Sequence, residues 1–451
     1  MDPLTYARAQ MGMSLAFHMI FAAVGVAMPL IMVISDALHM RTGDPDYLEI
    51  SKRMAKGTSI MFAVGAVSGT ALSFELGLLW PQFMGTFGEV IGLPFALEGF
   101  AFFTEAIFLG IYLYGRGKIS PRLHLLSGIG VAASGAASAF FVTLVNSCMN
   151  APSGFTMDLA TGRPIDIDPI AAMWSAPWKY QTVHTLLACY QATAFALAGI
   201  HAWMLLRRPG NSFFRKALAI SLSVACVTAV IQPISGDFSA KGIARDQPSK
   251  LAAAEAHFET RTHAPLRLGG LPDMETREVP YSVELPSGLS FLAHGDPAAK
   301  VTGLNDIPRD EWPNVLWVHL FFEIMIGAGS AMALLAVVTA FLAWRKKGLP
   351  DGRRFLWAVV LTGPLGVIAM ESGWMVTELG RQPWIVRGAM RTKDAVTPFP
   401  HLAAPFWTFT LLYVFLGVTV VYLLWRQLRI AEESVDDRPA QSMRWRKRDA
   451  G

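Results

Sequence analysis

The sequence predicts an all-α, polytopic membrane helix bundle of about nine transmembrane helices, with the N-terminus outside and the C-terminus in the cytoplasm. Three observations carry this expectation. Of 451 residues, 53% are hydrophobic and only 16% charged, and mean hydropathy is +0.39, outside the range of an ordinary soluble domain. Apolar runs recur at the length of roughly 20 residues that crosses a hydrocarbon core of about 30 Å. Basic residues gather in alternate short connections.

The first six runs are read at 14–36, 54–80, 94–114, 123–147, 181–206 and 216–234, and three more at 314–343, 354–378 and 404–426. After the first span come Lys52, Arg53 and Lys56; after the third, Arg116, Lys118 and Arg122. After the fifth come Arg207, Arg208, Arg215 and Lys216, and after the seventh Arg345, Lys346, Lys347, Arg353 and Arg354. These connections are expected to face the cytoplasm, and the basic end "RWRKRDAG" agrees in sign. The chain thus divides into helices one to six over 1–234, an extracytoplasmic loop over 235–313, helices seven to nine over 314–430 and a cytoplasmic tail over 431–451. The first span lacks a basic leader and a small-residue cleavage site and reads as a retained helix. In the long loop, "LAAAEAHFET" reads as a short helix and the rest as Pro/Gly-rich connection; loops of this length are usually functional or disordered.

The net charge of +4 comes largely from the cytoplasmic loops. It reports topology, and no nucleic-acid partner is expected. Cys148, Cys189 and Cys226 have no metal-site spacing and lie in or beside apolar spans, which fits packing. Neither a dinucleotide fingerprint, a phosphate loop nor a Ser/His/Asp set occurs in a supporting context.

Ionisable residues at membrane depth cost several kcal/mol and are functional candidates when they face the bundle interior. His18 lies near the outer start of span one, Glu98 and Glu105 in the outer half of span three, and His184 near the outer start of span five. Met325 lies about 17 Å into span seven, and Glu378 closes span eight on the same side. Five helices thus offer side chains to one layer. Each has a plainer reading: a buried His packs through hydrogen bonds, most of the 21 methionines are apolar filler, and Glu378 pairs with Arg381 three residues on. Imidazole with thioether is, as a pair, a recognised low-spin haem ligation. Glu98 and Glu105, two turns apart on one face, suit a proton relay or two buried acids satisfied by hydroxyls. Depth and composition leave two classes open, a haem-bearing redox protein and an ion-coupled transporter with intramembrane carboxylates.

The motifs "FHMIFAAVGV", "ALEGFAFFTEAIFLG", "LVNSCMNAPSG", "YQTVHTLLACYQATAF", "KLAAAEAHFET", "FFEIMIGAG" and "GRQPW" together resemble, in order and over nearly the whole chain, subunit I of the cytochrome bd-type quinol oxidases. The wording is nearest the cyanide-insensitive branch. The resemblance implies a haem-carrying terminal oxidase subunit in the bacterial cytoplasmic (inner) membrane. It would oxidise quinol at the outer face and reduce dioxygen to water with cytoplasmic protons. The family carries three haems: a low-spin haem b, a high-spin haem b, and haem d or a third haem b. His184 and Met325 match the low-spin ligands; His18 and Glu378 match the axial ligands of the other two haems, with the assignment of each left open.

In the same resemblance, Glu98 matches a carboxylate beside the oxygen-reducing haem, Glu105 and Ser138 a proton path, and Trp374 and Arg381 flank the haem pair. Arg8 resembles a propionate partner, and Lys250 and Glu255 match residues of the quinol loop. A second integral membrane subunit is the expected partner, with a small single-helix subunit as a further one. The chain departs from better-known members in carrying Glu323 where they have Arg. An ionised Glu323 beside the iron would lower the low-spin potential.

Overall fold

A computed structural model describes residues 2–158 and 160–436. The chain opens with four long helices, α1 (Pro3–Thr42), α2 (Pro45–Leu79), α3 (Pro81–Gly115) and α4 (Pro121–Asn150). Each begins with Pro at its first position, whose missing N–H costs nothing there. Asp2, Asp44 and Ser120 cap the free amides of α1, α2 and α4, as short polar side chains do. A small hairpin, β1 (Thr156–Asp158) and β2 (Arg163–Ile165), and the short α5 (Pro169–Met173) lead to α6 (Trp178–Arg207) and α7 (Ser212–Asp246).

The polar segment that follows has structure of its own. It contains α8 (Pro248–Ala254), the antiparallel pair β3 (Leu266–Leu268) and β4 (Val283–Leu285), α9 (Gly288–His294) and two 3-10 turns. The bundle then resumes with α10 (Val315–Lys346), α11 (Arg353–Thr362) and α12 (Leu365–Leu379). A hairpin of β5 (Trp384–Val386) and β6 (Met390–Arg391) and a single turn, α13 (Thr392–Ala395), precede α14 (Ala403–Asp436). Among the described residues, nine helical spans are long and apolar enough to cross a membrane, α11 and α12 together forming the eighth. The end "RWRKRDAG" lies outside the described residues.

Several boundaries differ from the sequence reading. Helix α3 starts at Pro81, well before the run read at 94–114, so Glu98 stands at its midpoint and Glu105 beyond it, not in its outer half. Helix α1 starts at Pro3, so His18 stands about 22 Å along it and not near its start. Its early polar residues are satisfied inside the bundle: Gln10 and Ser14 donate to the buried Glu75 at 3.0 and 2.9 Å. Helix α7 continues through twelve residues assigned to the loop, held in part by the Lys241–Asp237 pair one turn apart. The eighth span is broken at Gly363–Pro364, where proline cannot supply the helical N–H.

The helices pack largely as neighbours in sequence, α1 on α2, α3 on α4, α6 on α7, and α10 on α12. Small residues bring backbones close: a Cβ on Gly366 would lie 2.5 Å from Cα of Ala192, and one on Gly199 3.1 Å from Cα of Gly363. This is the usual device where apolar helices meet without water to drive them together. At the end carrying the basic connections, Asp36 is buried and accepts from Ser51, Tyr112, Arg116 and His124 at 2.9 to 3.2 Å. That hub ties α1 to α4. Helix α14 leans on α1 and α2, leaving Leu411, Val414, Phe415, Val418 and Val421 exposed for lipid or a partner chain.

Candidate cofactor cavity and its loop

Inside the bundle is a cavity of about 1340 Å³, large for a ligand site. Its wall takes Arg8 and His18 from α1, Glu98 and Glu105 from α3, Ser138 and Asn146 from α4, and His184 from α6. Lys250 of α8, Met325 of α10, and Trp374 and Glu378 of α12 complete it, with Arg381 just beyond. Of the residues singled out from the sequence, all but Glu255 and Glu323 meet at this one space.

The imidazoles are oriented by their neighbours. Ser68 Oγ spends its hydrogen on the Val64 carbonyl at 2.9 Å, so it accepts from Nδ1 of His18 at 2.9 Å and leaves Nε2 as the lone-pair nitrogen. Gly69 gives the ring room, since a Cβ there would lie 3.1 Å from its Cε1. His184 lies against α7, with Nδ1 3.3 Å from Ser235 Oγ and the Gln232 amide 3.3 Å from Nε2. The Met325 sulfur is seated against Gly373 of α12, where a Cβ would come within 2.9 Å of it.

The carboxylates divide into a paired and an unpaired set. Glu98 accepts from Ser138 at 3.0 Å, whereas buried Glu105 has an oxygen with no partner. Ser138 therefore serves Glu98. The Glu105 carboxylate instead rests beside Gly135, 3.3 Å from where a Cβ would be. Glu378 takes Asn146 on one oxygen at 2.7 Å and Arg381 on the other at 2.5 Å. The plain ion pair between Glu378 and Arg381 thus exists, but it leaves Nε and Nη1 of the buried guanidinium without acceptors. Unsatisfied buried donors are costly, and a planar fork of this kind suits a carboxylate ligand.

Lys250 and Glu255 part company. The amine of Lys250 donates to Asn150 Oδ1 within the cavity wall. Glu255 lies just past the C-terminus of α8, buried outside that wall, with both carboxylate oxygens unpartnered. Burial, with the nearby Glu323 carboxylate, pushes its pKa up to about 8 against the opposing pull of Arg267. Glu323 itself accepts the Gly269 amide at 2.9 Å and turns toward the loop, away from the cavity lining. It stands near Glu255.

Three participants are new to the structure. Asn150 stands one turn beyond Asn146 and donates to Asn146 Oδ1 at 2.8 Å. His319 is fully buried, its Nδ1 on the Ala254 carbonyl at 2.8 Å and Nε2 unpartnered. Glu75 is fully buried beside α1; the rule that flagged Glu98, a lone acid in an apolar run, would have found it.

Fold and cavity together define a multi-pass membrane protein with a large interior cofactor-type site lined by imidazole, thioether and carboxylate donors. The family model for cytochrome bd terminal oxidase subunit I matches residues 6–432, and the chain belongs to that family. It is 36% identical over 431 residues to a putative cytochrome bd menaquinol oxidase subunit I of Bacillus subtilis (strain 168), spanning 94% of this chain and 96% of that protein. To the cytochrome bd-II ubiquinol oxidase subunit 1 of Escherichia coli (strain K12) it is 25% identical, over 98% and 99% of the two. The solved bd oxidase from Geobacillus thermodenitrificans superposes with a TM-score of 0.89 at 42% identity, over 95% of this chain and 98% of that one. The protein is accordingly a multi-pass subunit of a bacterial respiratory terminal oxidase, in a family that contains haem.

Proposed function

We propose that this chain is the haem-carrying subunit of a quinol:oxygen oxidoreductase, working with a second integral membrane subunit. The observation that carries the reading is the convergence of His18, His184, Met325 and Glu378 from four helices on one cavity beside unsatisfied donors of Arg381. These residues fit haem: two neutral imidazoles, a thioether and a carboxylate for iron, and a guanidinium fork for propionates. His184 with Met325 would hold the low-spin haem b. His18 and Glu378 would serve a high-spin haem b and a haem d or third haem b, with Arg8 and Arg381 at propionates and Trp374 against the ring. When bound, the haems supply one-electron carriers and the iron at which oxygen is reduced.

The residues themselves handle protons and substrate. The basic connections gathered at one end of the bundle support a cytoplasmic position for that end, and the loop carrying Glu255 would then lie outside. Glu105 is two turns closer than Glu98 to the basic α3–α4 turn, about 10 Å along the helix. A proton entering from the cytoplasm meets Glu105 first, then Glu98 with its Ser138 hydroxyl, and so moves along the cavity wall.

At the other face, Glu255 accepts a proton from quinol, whose oxidation releases two. A buried carboxylate with two unpartnered oxygens is a suitable base, provided it is ionised. Because its pKa is raised to about 8, the acceptor form grows as pH rises toward and past that value. Quinol-driven turnover is therefore expected to climb from pH 7 to 8.5, and Glu255→Gln is expected to lose that limb with its haem spectra intact. Steady-state oxygen consumption against pH tests this; a climb that persists in the variant removes Glu255 from the quinol site.

A further inference from the structure

The break at Gly363–Pro364 sends the two halves of the eighth span to different neighbours. Helix α12 lies chiefly on α10, whereas α11 lies on α6. There a Cβ on Gly363 would come within 3.4 Å of Cα of Gly199, and Trp357 meets the Trp203 ring at 5.6 Å. Toward the basic end of the bundle α11 thus parts from α10, and a wedge of about 550 Å³ opens between them.

The α10 wall of the wedge is a single stripe. Leu335, Val338, Leu342 and Lys346 recur at intervals of three and four residues and so share one helix face. From Leu335 to Lys346 the stripe runs about 16 Å, close to half of a hydrocarbon core of about 30 Å. Phe355 and Ala358 of α11 supply the apolar part of the facing wall, and Arg353 and Arg354 stand at its open end. The wedge is therefore apolar for the depth of one leaflet and cationic where that leaflet ends. Trp344, two residues before Lys346 and 78% exposed, marks the same depth, since tryptophans gather at the interface.

The cations are not used by the protein's own acids. Residues 345–354 carry five basic side chains and one acid, Asp351, whose carboxylate lies 3.9 Å from Arg215. Among the described residues, Lys346, Arg353 and Arg354 form no ion pair. Gly352 brings no side chain to the amides that open the ten-residue α11, and amides so placed suit an anionic oxygen.

We propose that the wedge between α10 and α11 binds one anionic phospholipid, with its phosphodiester held by Lys346, Arg353 and Arg354 and an acyl chain laid along the stripe from Leu342 to Leu335. Basic pockets between membrane helices take anionic headgroups in this way. A partner helix would need a groove through both leaflets, and a free phosphate would leave the apolar wall uncovered. The site is independent of the haem and quinol readings. Bound there, the lipid fills the gap between the helix that carries Met325 and the span that carries Glu378.

The test uses the assembled oxidase in mixed micelles with a photoactivatable phosphatidylglycerol, read by peptide mapping and by competition. Label is expected on the segment 335–358 that lines the wedge, displaced by unlabelled phosphatidylglycerol and not by phosphatidylcholine or inorganic phosphate. Each cation beside an anionic headgroup is worth about fivefold in affinity. The double variant Arg353→Gln, Arg354→Gln is therefore expected to bind phosphatidylglycerol on the order of 30-fold more weakly, with its haem spectra matching wild type. Arg353→Lys with Arg354→Lys keeps both charges and is expected to hold the affinity within about twofold. Label confined to other segments, equal displacement by phosphatidylcholine, displacement by inorganic phosphate, or wild-type affinity in the double Gln variant would each overturn the proposal. Should that variant not assemble, the wild-type oxidase decides. Raising salt from about 0.05 M to about 1 M, where the screening length falls to about 3 Å, is expected to release phosphatidylglycerol from the wedge, and an affinity unmoved by salt would overturn the proposal equally.

Discussion

Replacing His184 with alanine is expected to abolish the low-spin haem b band and bring quinol-driven oxygen consumption to background. His184 lines the cavity from α6 and Met325 from α10, and each is held by the helix behind it: Ser235 and Gln232 stand at the imidazole, and Gly373 leaves room for the sulfur. Losing the imidazole would leave Met325 as the single donor of the proposed pair, and low-spin ligation of this kind needs both. On the proposed assignment the high-spin bands rest on His18 and Glu378 and should remain. Optical spectra of the variant decide the matter. A low-spin band unchanged in position and intensity would remove His184 from the iron.

Glu105→Gln is expected to slow oxygen turnover by on the order of 10²-fold, the lower part of the range for a positioned proton-transfer group, with every haem band retained. The glutamine keeps the shape beside Gly135 and removes the titration. Glu105 has an unpartnered oxygen, whereas Glu98 is already engaged by Ser138. An unpaired buried acid is costly to a fold unless it has work to do, and this is what distinguishes the two. Proton uptake measured during a single turnover should be delayed in step with the rate. Wild-type uptake and turnover in Glu105→Gln would make the residue a buried acid of structure alone.

The bundle was legible because hydropathy and charge act over whole spans, and local error does not alter the count. What escaped was set by contacts between distant segments. The start of α1 contains Arg8, Gln10 and Ser14, polar residues that hydropathy assigns to water; Glu75 of α2 satisfies two of them in the interior, and the helix extends accordingly. Residues 235–246 read as loop for the same reason, yet Ser235 faces His184 and the helix continues to bring it there. The break at Pro364 was signalled by the proline itself, but the apolar run on both sides masked it.

At the site, residue types at membrane depth identified the cavity wall well, since an isolated acid or imidazole in hydrocarbon demands an interior position. Partnerships were less accessible. Ser138 is a plausible neighbour for either Glu98 or Glu105 by depth, and only the packing of α3 on α4 gives it to Glu98. Spacing did separate Lys250 from Glu255 by about 140°; where each then points depends on Gly380 and Asn150, which no local pattern connects to α8. Asn150 lay in a quoted motif without a role, and His319 was passed over as one more polar residue near a span end.

The most direct test of the account is a reduced-minus-oxidised optical spectrum of the purified chain with its partner subunit, calibrated by haem extraction. The predicted result is three haems per chain, with a low-spin b band and separate high-spin bands. A preparation of intact, helical protein with no haem bands would contradict it and favour a transport role for the intramembrane carboxylates.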